Sequence, residues 1–184
     1  MTPLDFFARW RVRIGYLLAV VVLWLSRPDP RSILIGAAVG FLGLAIRAYG
    51  AGFLHKQQVL TTAGPYAHTR NPLYFGSSIL TIGAAIAMNS WWSAALLLLY
   101  FALVYTFVMR REEIELRAQH GAAFDAYAQS VPLFFPRWTA AHVSMPEVAS
   151  FSWAQYRKNH EYQAALGFFF LLLALVVVWR LHVA

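Results

Sequence analysis

Residues 73–109 read LYFGSSILTIGAAIAMNSWWSAALLLLYFALVYTFVM, two apolar runs (73–88 and 91–109) parted only by Asn89 and Ser90. Each run comes close to the roughly 20 residues that a helix needs to cross a bilayer. A two-residue polar break between such helices closes a tight antiparallel hairpin. The reading that follows is an all-α, polytopic membrane bundle built around that hairpin. Outward from it lie three more apolar runs, at residues 14–25, 33–54 and 164–179, for about five transmembrane helices. The first run is short, so it reads as a tilted or extended span with Phe6, Phe7 and Trp10 at the interface. A secretory signal is the other reading of that run, but Ser26, Arg27 and Pro28 make no Ala-x-Ala cleavage site.

Composition agrees. The 184 residues are 60% hydrophobic and 12% charged, against about 45–50% and about 25% in ordinary soluble chains. Charge that sparse cannot coat a soluble globule. The absence of cysteine excludes disulfide scaffolds, thiolate metal sites and thiol nucleophiles. A net charge of +7 raises the question of nucleic acid, but the basic residues lie between apolar runs, where they meet membrane lipid headgroups instead. The expectation is therefore no nucleic-acid partner. The six histidines form no HxxxH or HExxH pair, and no metal site is expected.

The chain is read as one membrane domain over residues 1–184. Residues 1–54 supply two helices, 55–138 the core, and 139–184 an extension with a fifth helix that serves as an anchor. With the N-terminus cytoplasmic, that side receives Arg9, Arg11, Arg13, Lys56, Arg70, Arg110, Arg111, Arg117, Arg137, Arg157 and Lys158, and the opposite side only Arg27, Arg31 and Arg180. Eleven against three orients the N-terminus and both polar connectors to the cytoplasm. Arg47, near the cytoplasmic end of the second run, is read as snorkelling to the interface, with a substrate contact as the other reading.

Two stretches in those connectors carry the chemistry. Residues 64–76 read GPYAHTRNPLYFG. Pro65 and Pro72 force extended or turn backbone at the residues before them, and Pro72 suits the first turn of a helix. The result is a rigid corner at the membrane surface, and a helix N-terminus there offers free N–H groups to an anion. The second stretch is Arg110, Arg111, Glu112, Glu113, Glu115 and Arg117, followed by Gly121, Phe124, Tyr127 and VPLFFP at 131–136. Adjacent glutamates on a helix point about 100° apart, so one is expected to face a pocket and the other water. The VPLFFP segment reads as a stiff apolar flap.

The ordered combination GPYxxxRNPxYxG, hairpin, EE, Gly and VPxFxP resembles the isoprenylcysteine carboxyl methyltransferase and phospholipid methyltransferase superfamily. The resemblance spans about residues 54–138. It implies S-adenosyl-L-methionine held on the cytosolic side and a lipophilic substrate delivered by the membrane. It assigns Gln58, Val59, Leu60 and Thr61 to a cofactor-lining loop, with Tyr66, Asn71, Pro72, Leu73, Tyr74 and Glu112 as further cofactor contacts. The family's histidine is Asn71 here, its later tyrosine is Phe124, and the arginine expected four residues before the glutamate pair is Val108. For the acceptor, His68 and Glu113 are the nearby proton acceptors that an amine needs, and Arg70 and Arg111 suit an acidic headgroup. The acceptor class stays open between a phospholipid amine and an isoprenylcysteine-type carboxylate. Two other classes stay open as well: a membrane sterol-type reductase using NADPH, and a non-catalytic membrane scaffold or transporter subunit.

Overall fold

Asn89 makes the hairpin turn in the left-handed region, at φ 48° and ψ 44°. Asparagine tolerates that conformation better than most residues. Ser90 then caps the next helix by accepting from the Ser93 amide at 3.4 Å. The computed structural model describes residues 3–55, 59–141 and 150–183, with side chains from residue 13 onward. Its helices are α1 (Pro3–Leu25), α2 (Pro30–Phe53), α3 (Pro72–Met88), α4 (Trp91–His120), α5 (Ala122–Ser130), α6 (Trp153–Lys158) and α7 (Tyr162–Val183), with a 3-10 turn at Gly64–Ala67. No strand occurs among the described residues. Helices α2, α4 and α7 are long and apolar enough to cross a membrane, and α3 is a shorter apolar helix. At 17 residues, α3 still extends about 25 Å. The short first run is extended at its N-terminal side, since α1 reaches back to Pro3.

Helix α2 lies along α3 with the backbones almost touching. A Cβ on Gly36 would sit 2.4 Å from the Gly83 carbonyl oxygen, and one on Gly83 would sit 2.5 Å from the Gly40 nitrogen. Glycine is needed at such a crossing because any side chain would force the helices apart. Helix α1 packs on α4, and α7 packs on α2 and α3. At the hairpin end, Val22, Ala87, Met88 and Leu175 form a buried apolar cluster that joins α1, α3 and α7.

That end is also laced by short polar bonds. Asp29 caps α2, accepting from the Arg31 and Ser32 amides at 2.8 and 3.0 Å. Asn89 donates to Asp29 Oδ2 at 2.9 Å and to the Arg27 carbonyl at 3.1 Å. The Ser32 hydroxyl reaches the Ala87 carbonyl at 3.2 Å.

The extension does more than the anchoring expected of it. Helix α6 lies across the C-terminal end of α2. Gln155 donates to the Leu54 carbonyl at 2.6 Å, and Asn159 to the Ala51 and Leu54 carbonyls at 2.8 Å. These are carbonyls that a helix end leaves without a partner. The ring of Phe151 fills the space over Gly52, where a Cβ would lie 2.3 Å from it.

Candidate functional site

The corner between α2 and α3 begins at Gly64, whose φ of +59° and contact with Phe53 exclude a side chain. A Cβ there would meet the Phe53 ring at 2.6 Å. The corner turns Tyr66 inward until only 6% of it is exposed. Tyr127, from α5, donates to the Tyr66 carbonyl at 2.8 Å and ties α5 to the corner. Burial pushes the Tyr66 phenol well above its usual value, and the nearby Tyr127, Glu112, Glu161 and Tyr74 raise it further. Burial raises Tyr127 as well, against a lowering by Arg70. Both phenols therefore stay protonated at neutral pH.

The VPLFFP segment is a strap rather than the expected flap. The Arg70 amide donates to the Pro132 carbonyl at 3.0 Å, and Thr69 Oγ1 to the Phe134 carbonyl at 2.9 Å. Asn71 Nδ2 donates to the Leu133 carbonyl at 3.0 Å. Further along, the Arg137 amide donates to the His68 carbonyl and the Ala141 amide to the Ala67 carbonyl. Asn71 spends its side chain on the strap, so the N-terminus of α3 has no side-chain cap. Its first-turn N–H groups keep their attraction for an anion.

Both glutamates face inward, which corrects the expectation that one faces water. Tyr74 on α3 donates to Glu112 Oε1 at 2.5 Å. Arg70 pairs with Glu113 at 2.9 Å, with their side chains 13% and 12% exposed. The roughly 100° between adjacent residues separates two partners, α3 and the corner, instead of pocket and solvent. Arg70 Nε is buried with no hydrogen-bond partner. The guanidinium groups of Arg70 and Arg117 flank the buried Phe124 ring at 5.9 and 5.5 Å.

The remaining predicted residues divide. Leu60 packs on the Phe124–Tyr127–Val131 cluster. Thr61 is buried and accepts from the His55 amide at 3.3 Å, and Val59 is exposed. Gln58 lies outside the described residues. Pro72 is buried as the first residue of α3, and the Leu73 carbonyl accepts from Arg47 at 3.3 Å. His68 Nδ1 sits 2.9 Å from the Arg137 carbonyl. A carbonyl only accepts, so the neutral ring donates from Nδ1 and leaves Nε2 as its basic atom. Arg111 pairs with Glu115 at 2.9 Å on the exposed side of α4 and does not join the cluster. Val108 is buried one turn before Glu112.

Sequence reasoning missed the partner of Arg47. In place of snorkelling, Arg47 pairs with Glu161 at the start of α7, with Nε and Nη2 both at 2.5 Å. It also donates to the Ser77 hydroxyl. The available signal was a charged residue inside an apolar run, which usually marks a partner. Also missed was the aromatic ladder of Tyr74, Tyr105 and Phe101, with ring centroids 5.2 and 4.5 Å apart. Among the described residues, no group of three or more His, Asp or Glu side chains is placed to hold a metal ion.

The family model for phospholipid methyltransferase matches residues 10–123. The chain is 33% identical over 149 residues to the nickel-cobalt-cadmium resistance protein NccN of Alcaligenes xylosoxydans xylosoxydans, covering 74% of this chain and 70% of that one. It is 34% identical over 139 residues to the cobalt-zinc-cadmium resistance protein CzcN of Cupriavidus metallidurans, covering 70% of this chain and 62% of that one. No solved structure matches the chain.

Proposed function

The chain belongs to the phospholipid methyltransferase family, and on that premise we propose that it transfers a methyl group from S-adenosyl-L-methionine to a lipophilic acceptor drawn from the membrane. One observation carries the reading beyond family membership. Two bonds, Tyr74–Glu112 and Arg70–Glu113, draw the Arg-Asn-Pro-Leu-Tyr segment and the glutamate pair together across the hairpin.

The residues present fit that cofactor. The uncapped N-terminus of α3 suits its carboxylate, and Glu112 its amino group or ribose hydroxyls. The buried Arg70 Nε is an unspent donor in the same cluster. The bound cofactor supplies an activated methyl group on a sulfonium. Glu112 serves affinity and position, because a carboxylate against the sulfonium would favour the ground state over the charge-dispersed transition state. The faces of Tyr66 and Tyr74 suit the cation, at about 0.5–2 kcal/mol each. Catalysis comes mainly from alignment and from exclusion of water.

An acceptor amine must lose a proton. The Nε2 atom of His68 is the better base, since Glu113 is engaged by Arg70 and Arg110. A carboxylate acceptor needs no base, but Val108 offers no charge-assisted contact to hold one, which favours a phospholipid amine. The bias of Lys and Arg supports a cytoplasmic site and N-terminus. Any role shared with the metal-resistance relatives would, on this reading, run through methylated membrane lipid.

Calorimetry on the purified protein with S-adenosylmethionine, S-adenosylhomocysteine and NADPH tests the proposal. Binding of the two sulfur compounds and none of NADPH is expected. Binding of NADPH alone would replace the transferase with the reductase.

A further inference from the structure

A cleft of about 290 Å³ runs between α7 and the α3–α4 hairpin, lined in part by Leu80, Thr81, Ala84, Leu97, Ala164 and Gly167. Its walls continue those of the candidate site. On α3, Tyr74, Ser77, Thr81 and Ala84 fall within about 80° of one another at about 100° per residue. On α4 the same arithmetic aligns Glu112, Val108, Tyr105, Phe101 and Leu97 within about 80°. The stripe that carries Tyr74 and the stripe that carries Glu112 thus both descend into the cleft. Helix α7 supplies the third wall, and it lies outside the residues matched by the family.

The lining chemistry selects the occupant. The sole hydroxyl among the lining side chains, on Thr81, donates to the Ser77 carbonyl of its own helix at 2.8 Å. No other lining side chain carries a polar group, so the cleft has nothing to recognise a headgroup. The polar groups stand at its upper end, where Arg47, Ser77 and Glu161 meet one turn above Thr81 and Ala164. Gly167 adds no side chain to the lining, and a Cβ there would meet no atom within 4 Å.

We propose that this cleft seats one hydrocarbon chain of a membrane lipid, so that α7 positions the tail of the acceptor while its headgroup reaches the Tyr74–Glu112 cluster. The inference rests on the methyltransferase reading and deepens it by assigning the tail to a helix outside the family core.

The test uses the full chain in phosphatidylcholine vesicles doped with phosphatidylethanolamine that bears a diazirine on one acyl chain. On illumination, crosslinks should concentrate on peptides containing Leu97 and residues 164–171, above those on lipid-facing α2 residues such as Leu34 and Phe41. Gly167→Phe fills the open space and should lower crosslinking at Leu97 by about tenfold, with unchanged affinity for S-adenosylhomocysteine. Gly167→Leu, a smaller filling, serves if the Phe variant does not fold. Labelling spread evenly over all lipid-facing helices, or unaltered by either substitution, would overturn the cleft. Absence of S-adenosylhomocysteine binding in wild type, with cleft labelling intact, would overturn the methyltransferase reading and leave a lipid seat.

Discussion

The two ends of the α2–α3 pair spend their polar residues in opposite ways. At the hairpin end, Asp29, Ser32 and Asn89 bond one another and nearby backbone, and a groove of about 620 Å³ opens beside them. These bonds close helix ends and leave no buried charge. At the other end, the bonds link charged or phenolic groups from distant segments: Tyr74 to Glu112, Arg70 to Glu113, and Arg47 to Glu161 across 114 residues. The groove of greater volume thus lies at the end without these charged pairs. Buried, paired charge is costly unless something is gained, and the proposed site lies at the end that carries it.

The contrast predicts different responses at the two ends. The largest effect is all-or-none: with a cysteine at Asn89 or at Gln119 in this cysteine-free chain, an impermeant maleimide should label the two from opposite faces of the membrane, Gln119 from the cytoplasmic one. Labelling of both from one face would deny that the ends are separated by a bilayer. Next, Glu161→Ala strands the Arg47 charge and should destabilise the fold by about 3–5 kcal/mol, measured as denaturant resistance in detergent. The double variant Arg47→Met with Glu161→Leu should recover most of that loss. Third, Glu112→Ala should weaken S-adenosylhomocysteine binding by about 1.5–3 kcal/mol in calorimetry. An unchanged dissociation constant in the folded variant would remove Glu112 from the site. Smallest, Asp29→Ala should lose a helix cap worth about 1 kcal/mol of stability and leave that binding untouched.

Local patterns made much of this legible beforehand. The hairpin was readable because Asn89 and Ser90 are the only polar interruption between two apolar runs, and turn chemistry depends on neighbours. The corner was readable because Pro65 and Pro72 constrain the backbone whatever surrounds them. Residue-level partners were not readable. The direction of Glu113 depends on where Arg70 lies, and that is set by the strap at 131–141 through backbone carbonyls with no sequence signature. The strap itself read as a stiff flap because its prolines and apolar side chains were visible and its hydrogen bonds were not. Glu161 was hidden furthest, since it lies 114 residues from Arg47, just after α6 folds back onto the end of α2.

The Arg47–Glu161 pair also sets a clock on biogenesis. A ribosome adds about 5–20 residues per second, so the guanidinium leaves it roughly 6 to 23 seconds ahead of the carboxylate 114 residues later. Until then Glu161 is not there to pair with Arg47, and of the partners seen in the fold only the Leu73 carbonyl and Ser77 hydroxyl come earlier in the chain. The family core is thus translated before its charge is balanced, and only the arrival of α7 completes it. Arg47 ties the family core to a residue made long after it, at the start of α7.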